Sequence, residues 1–308
     1  MFRPVLAQLV AGCVALTSPV SLLCLDREAP AGHRSSQAEE RVLYVTVVDP
    51  ATQEPLRELG PDDVVVREDA VRREVLRVTP ASSPMPVALI VDNSQAMAPS
   101  IADLRRALAT FVTAIDGLGP VTLVTVADRP TIAQGYTSSL KEAQDAANRL
   151  FHTPSSGATL LDGISEVAKG LTRRESDRAA IVVVTGEHTD YSHLQYQDVL
   201  KDLRESGAAL HAIVLVNPAG SFATDEARNR ATVLDRGPRE SGGVRMDVLT
   251  SQAFATRMKD LAGVLRAQHR VVYARPASLI PPDRIEVSSA RPRLEARGTP
   301  ARERKTPQ

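Results

Sequence analysis

The chain contains no tryptophan, and aromatic residues make up only 3% of its length. Stacking platforms for sugars or nucleic-acid bases are therefore not expected. Lysine plus arginine equals aspartate plus glutamate, at 37 each, so the formal net charge is zero. Because binding to nucleic acid depends on a basic surface, this balance argues against a nucleic-acid partner.

Cysteine is also scarce: the two cysteines, Cys13 and Cys24, both lie in the first 25 residues. Those residues read "MFRPVLAQLVAGCVALTSPVSLLCL", which is apolar after one early arginine, and a polar stretch follows. This pattern is typical of an export signal, so residues 1–40 are interpreted as a signal or anchor segment and linker. The expected location is periplasmic, envelope-associated or secreted.

The processing of this segment stays open between three alternatives. It is cleaved near "APAG", lipidated at Cys13 within "LVAGC", or kept as an uncleaved anchor. A membrane contact is expected only through this segment, in the lipidated or uncleaved form. A buried N-terminal helix is the remaining interpretation.

Two kinds of pattern follow along the chain. Residues 41–80 contain short valine-rich runs and turn residues, which predict a small β unit. Residues 85–275 alternate apolar runs with helical patterns, which predicts a doubly wound α/β domain with a mostly parallel sheet. The expected buried strands are 87–92, 121–127, 180–185 and 210–216, with an antiparallel edge strand at 131–137. Residues 276–308 are expected to be a β-like extension and a disordered tail, the latter over the charged residues 297–308.

Three loops should meet at the carboxyl edge of this sheet, where α/β proteins form their sites. They contain "VDNSQAM", "SSGATLLDGI" and "VVVTGEHTDYS". These loops resemble those of the von Willebrand factor A family, which binds a divalent cation through D-x-S-x-S, a threonine and an aspartate. The resemblance implies Asp92, Ser94 and Thr159 as metal ligands.

Two positions depart from the family pattern, because Ala96 and Gly186 stand where it has a serine and an aspartate. Loss of two oxygen ligands predicts a weakened site for Mg²⁺ or Mn²⁺, or none. Glu187 or Asp190 could supply the missing carboxylate.

The resemblance extends over residues 40–290, since "GPDDVVVREDAVRREVLRV" precedes the domain, and "SGGVRMDVLTSQAF" and "HRVVYARP" follow in order. This order is similar to that of exported bacterial proteins described as VWFA-related. The resemblance implies a Rossmann-like fold, a protein partner and a non-enzymatic role in adhesion or envelope assembly.

Two other functions remain as alternatives. One is a metal-independent structural protein of the envelope. The other is a hydrolase that uses Ser94 as its nucleophile, although no G-x-S-x-G motif surrounds this residue. His188 and His193 are five residues apart, which is not the spacing of an H-E-x-x-H zinc helix. They are interpreted as solvated loop histidines.

Overall fold

The computed structural model describes residues 38–301, except 175, 218–223, 278, 279, 281 and 283. Residues 1–37 of the predicted signal segment and linker, and the end of the predicted tail, lie outside these residues; residues 38–40 already belong to a strand. Among the described helices, none combines the length and the apolar character that a membrane crossing requires.

A six-stranded sheet forms the centre of the fold, in the order β10-β9-β8-β5-β6-β7. Every neighbouring pair is parallel except β6 and β7, which are antiparallel. This confirms the predicted mostly parallel sheet with an antiparallel edge. Its strands are β5 (Val87–Val91), β6 (Val121–Val126), β7 (Pro130–Thr137), β8 (Ala179–Gly186), β9 (Ala208–Leu215) and β10 (Arg245–Val248).

Helices cover both faces of this sheet, because its central strands are apolar on both sides. Leu89 packs into the core under α1, α2 and α6, whereas the next residue, Ile90, packs into the core under α3, α4 and α5. The helices are α1 (Ile101–Ala114), α2 (Leu140–Asn148), α3 (Leu160–Arg174), α4 (Tyr196–Ser206), α5 (Asp225–Ser241) and α6 (Phe254–Arg266). The sequence patterns had indicated helices at 101–115, 139–151, 159–171 and 254–265, which correspond to α1, α2, α3 and α6; α4 and α5 were not anticipated.

A second core belongs to two antiparallel sheets built from both ends of the chain. One has the order β13-β1-β11-β4 and the other β12-β2-β3. Valines of β1 and β2 pack there with residues of β11 and β12. The strands are β1 (Ala38–Val48), β2 (Val64–Glu68), β3 (Val71–Arg73), β4 (Val75–Pro80), β11 (His269–Pro276), β12 (Ile285–Ser289) and β13 (Glu295–Pro300). We call these seven strands the β unit.

The β unit corrects one expectation about the C-terminal end. The predicted disordered tail began at residue 297, but residues 297–300 belong to β13, which pairs with β1 from Leu43 to Val48. The sequence pattern missed this strand because β13 contains two charged residues, Glu295 and Arg297, which pair with each other at 3.0 Å. The sequence patterns also gave no sign that the strands near the two ends join in one unit.

Candidate functional site

Asp92 lies directly after β5, at the carboxyl edge of the central sheet, and is fully buried. Its backbone N–H donates to the carbonyl of Val184 on β8, 3.0 Å away, which extends the strand pairing by one residue. Its carboxylate then accepts the backbone N–H of Ser94 at Oδ1, at 3.1 Å. This local turn fixes the carboxylate at the start of the first loop.

The other oxygen of Asp92, Oδ2, is surrounded by donors. The hydroxyl of Thr185 lies 2.6 Å away and Nε2 of His188 2.7 Å away. The guanidinium of Arg230 approaches the same oxygen at 3.3 Å. Burial by itself raises the pKa of Asp92, but the His188 hydrogen bond, the charges of Arg230 and His188 and the Thr185 hydrogen bond outweigh it. The pKa of Asp92 is therefore held well below its usual range, and the buried group is a carboxylate.

Arg230 comes from α5 and joins Asp92 to a second buried carboxylate. Its Nη1 donates to Oδ2 of Asp190 at 2.8 Å, and Nη2 donates to the carbonyl of Gly186 at 2.8 Å and to the hydroxyl of Thr185. The side chain of Arg230 is only 3% exposed. We call Asp92, Thr185, His188, Asp190 and Arg230 the arginine cluster.

Asp190 is also held from the helix side of the site. The backbone N–H of Leu160, the first residue of α3, donates to its Oδ2 at 3.1 Å. A helix N-terminus favours a negative charge, so α3 and Arg230 both stabilise this carboxylate. Of the two carboxylates suggested as a replacement ligand, Asp190 joins the cluster. Glu187 instead pairs with Arg245 on β10 at 3.1 Å.

The other two predicted ligands are buried but take different positions. Ser94 is 1% exposed, and its Oγ makes no hydrogen bond within the described part of the chain. Thr159 is 4% exposed, and its hydroxyl donates to the carbonyl of Ala127 at 2.9 Å. The structure therefore brings Ser94 to Asp92 through the backbone, whereas the Thr159 hydroxyl serves to attach the second loop to β6.

The two positions that depart from the family pattern differ in surroundings. Ala96 is exposed on a short 3₁₀ helix, so a serine there would face water rather than the cluster. Gly186 is buried, and a Cβ atom at this position would lie 2.9 Å from the sulfur of Met97. A side chain at residue 186 therefore requires Met97 to move.

The interpretation of the two histidines as solvated is wrong for His188. Its side chain is 19% exposed and contacts Asp92, whereas that of His193 is 94% exposed beside Asp162. Loop composition alone could not separate them, because the difference comes from the turn at 186–190. Among the described residues, no group of three or more His, Cys, Asp or Glu side chains is arranged to hold a metal ion.

These contacts do not fit a divalent cation. Ser94 Oγ is a free oxygen donor of the kind that Mg²⁺ accepts, which is in favour of a metal. Both oxygens of Asp92 already accept hydrogen bonds, however, and the second carboxylate of the cluster, Asp190, is in contact with a guanidinium. A cation at Asp92 would be repelled by Arg230 in a buried site, where charges are poorly screened.

The hydrolase alternative also lacks support at Ser94. A nucleophilic serine needs a base within hydrogen-bonding distance and access for a substrate. Ser94 is buried, and in the described regions no side chain hydrogen-bonds to its Oγ. His188, the histidine of this site, is instead bonded to Asp92.

Sequence reasoning missed Arg230, the residue that organises the site. Helix α5 is strongly polar, and Arg230 is one of several arginines along it. A usable pattern existed nevertheless: Ala227, Leu234 and Gly237 are buried at helical spacing, and Arg230 lies on the same face. An arginine on the buried face of a helix predicts a buried anionic partner.

Comparison with known proteins gives a match to one family and similarity to several solved structures. Residues 87–188 match the von Willebrand factor type A domain family. No curated protein matches the chain. Among solved structures, a von Willebrand factor type A protein from Catenulispora acidiphila has a TM-score of 0.49 and 11% identity, over 86% of this chain and 63% of its own.

Two further solved structures are similar. An aerotolerance-related membrane protein from Bacteroides fragilis has a TM-score of 0.43 and 16% identity, over 58% of this chain and 98% of its own. The PilB minor pilin from Streptococcus sanguinis has a TM-score of 0.45 and 10% identity, over 61% of this chain and 62% of its own. The family match covers β5 to β8, the first two loops around Asp92 and the start of the third, so residues 87–188 of this chain are of the von Willebrand factor type A type.

Proposed function

We propose that this protein is an exported protein-interaction module that binds its partner at the carboxyl edge of the central sheet. The membership of its central domain supports this role, because von Willebrand factor type A domains commonly mediate protein–protein interaction. The binding surface comes from the loops that surround the arginine cluster.

The observation that carries the proposal is a pair of exposed aromatic side chains on those loops. Phe151 is 66% exposed and Tyr191 is 63% exposed, in a chain with only five residues of each type. Aromatic side chains supply much of the contact area in protein interfaces. The carbonyl of Phe151 accepts a hydrogen bond from Asn93, beside Asp92, and Tyr191 follows Asp190. Both aromatic residues thus lie next to residues of the buried site.

The second loop is shaped to carry Tyr191. A Cβ atom at Gly157 would collide with the Tyr191 ring, so glycine allows the ring to lie against the loop. The backbone N–H of Tyr191 donates to the carbonyl of Ala158 at 2.7 Å. The ring is therefore presented on a fixed backbone, which lowers the entropy cost of binding.

A photoreactive amino acid at position 191 tests this surface in the cells that make the protein. Ile132 on the edge strand β7 is 71% exposed and provides the matched control position. We expect a discrete cross-linked product from position 191 and none of the same size from position 132. The product should disappear when Phe151→Ser is added and should persist in a chelator. Equal products at both positions, or none from position 191, would contradict the proposal.

Export is a separate part of the proposal and rests on residues 1–40. A fusion of these residues to a reporter that is active only outside the cytoplasm should give activity. Replacement of the apolar residues Leu9 and Val10 by arginine is the matched control and should abolish it. An intact fusion without activity would show that the segment does not direct export.

A further inference from the structure

Asp92 and Asp190 bury two carboxylates in one place, and a single positive side chain, Arg230, contacts both. Asp92 is 0% exposed, Asp190 2% and Arg230 3%. Two carboxylates at this depth repel each other, and each is costly to bury without a partner. Arg230 removes both problems, because each arm of its planar guanidinium contacts one of them.

The same guanidinium also connects the loops of the site. Its Nη2 donates to the carbonyl of Gly186 and the hydroxyl of Thr185, at the end of β8. Asp92 belongs to the first loop and Asp190 to the third. Arg230 therefore links β5, β8 and the third loop to α5, which is the structural work that a bound cation performs in a metal site.

We infer that Arg230 is a permanent cation supplied by the chain itself, and that it closes this site to Mg²⁺ and Mn²⁺. The position therefore holds a built-in cation in place of a metal, and it binds divalent cations only in the absence of the arginine. The inference does not depend on the proposed interaction surface, since it concerns only the buried groups below it.

Ser94 provides a second, independent observation. Its buried Oγ has no hydrogen-bond partner within the described residues, and neither does Nε of Arg230. When the arginine side chain is removed, Asp92, Asp190 and Ser94 together offer two carboxylates and a hydroxyl. These are hard oxygen donors, so the cavity is suited to Mg²⁺ or Mn²⁺.

The test is thermal unfolding of the full chain and of Arg230→Ala, each with a chelator, with millimolar MgCl₂ or MnCl₂, and with methylguanidinium. Arg239→Ala is the matched control, because Arg239 lies on the same helix with its side chain 68% exposed. We expect no effect of the cations on the parent or on Arg239→Ala. Arg230→Ala should lose about 10 °C in Tm and recover at least half of it with Mn²⁺ or methylguanidinium.

Two outcomes would overturn the inference. One is a rise in the Tm of the parent with Mg²⁺ or Mn²⁺ that is absent in Asp92→Ala. The other is an Arg230→Ala protein that keeps the Tm of the parent, or that loses stability and recovers with neither cation.

A second set of variants decides the matter if Arg230→Ala does not fold. In the parent, Asp92→Asn should lower the Tm, because it removes a partner of the guanidinium. In Arg230→Met, the same change should raise the Tm, because it removes one of two repelling carboxylates. An Asp92→Asn effect of the same sign in both backgrounds would show that Arg230 does not balance these charges.

Discussion

The protein buries carboxylates in two regions, and the ratio of carboxylates to arginines is opposite in the two. In the central domain, one guanidinium, Arg230, serves the two carboxylates Asp92 and Asp190. In the β unit, one carboxylate, Glu68, has two guanidinium groups nearby, Arg73 at 2.9 Å and Arg275 at 3.5 Å. The first cluster therefore has more carboxylates than guanidinium groups, and the second has more guanidinium groups than carboxylates.

The two clusters also differ in how far their charged side chains are exposed to water. The side chain of Arg73 is 21% exposed, so water screens part of the charge around Glu68. No residue in the ion pairs of Arg230 exceeds 3% exposure. The β-unit cluster thus serves as a partly solvated connection between strands from both ends of the chain. In the arginine cluster, by contrast, Arg230 and both carboxylates are buried, and the partly exposed His188 contacts only Asp92.

The largest expected effect comes from removing one arginine from each cluster. Arg230→Met should lower the free energy of unfolding by about 3–5 kcal/mol, because it removes the one guanidinium that contacts both buried carboxylates. Arg73→Met, the matched change in the β unit, should cost about 1 kcal/mol or less, since Arg275 remains beside Glu68. Urea unfolding of both variants measures the difference. Equal losses would show that the two clusters do not differ as described.

The contrast also explains what the sequence could and could not predict. The strands of the central sheet were predictable because β5 and β8 are continuous apolar runs, buried along their whole length. The loop after β5 was predictable because Asp92 ends such a run. Neither cluster was predictable, because the residues that form each one are far apart in the sequence. Asp92 and Arg230 are 138 residues apart, and Glu68 is 205 residues from Tyr273, whose hydroxyl donates to it. Contacts at that separation follow from the tertiary fold and leave no local periodicity.

A third buried ionisable group, His211, differs from both clusters because it has no oppositely charged partner among the described residues. It lies on β9, and neither ring nitrogen has a hydrogen-bond partner among the described residues. Burial first, and then the charge of Arg297, lowers its pKa to about 3. Only the unfolded state then binds a proton between that value and the usual pKa of about 6.5, so stability is lost as the pH falls through this window.

His211→Leu should remove this acid sensitivity. The variant should gain about 2 kcal/mol relative to the parent between about pH 7 and pH 5, from 1.4 kcal/mol per pH unit below 6.5. Urea unfolding at the two pH values measures the gain. His269→Leu is the control, because the ring nitrogens of His269 lie 2.9 and 3.1 Å from carbonyl oxygens, and its loss should be destabilising at neutral pH. A parallel pH dependence in parent and His211→Leu would contradict this account.

The smallest expected effect concerns the neutral partner of Glu68. Tyr273 donates its hydroxyl to Glu68 Oε1 at 2.7 Å. Tyr273→Phe should cost about 1.5 kcal/mol, since a hydrogen bond to a buried carboxylate is lost, whereas Tyr44→Phe, which loses a bond to the neutral Ser83, should cost less.

Burial, and then the hydrogen bond and charge of Glu68, raises the pKa of Tyr273 above its ordinary value. The unfolded state therefore loses its proton first, and the parent loses stability as the pH rises above about 10. The gap between parent and Tyr273→Phe should consequently narrow in urea unfolding at alkaline pH. A gap that is constant, or that widens above this pH, would show that Glu68 and the two arginines hold the β unit together without the tyrosine.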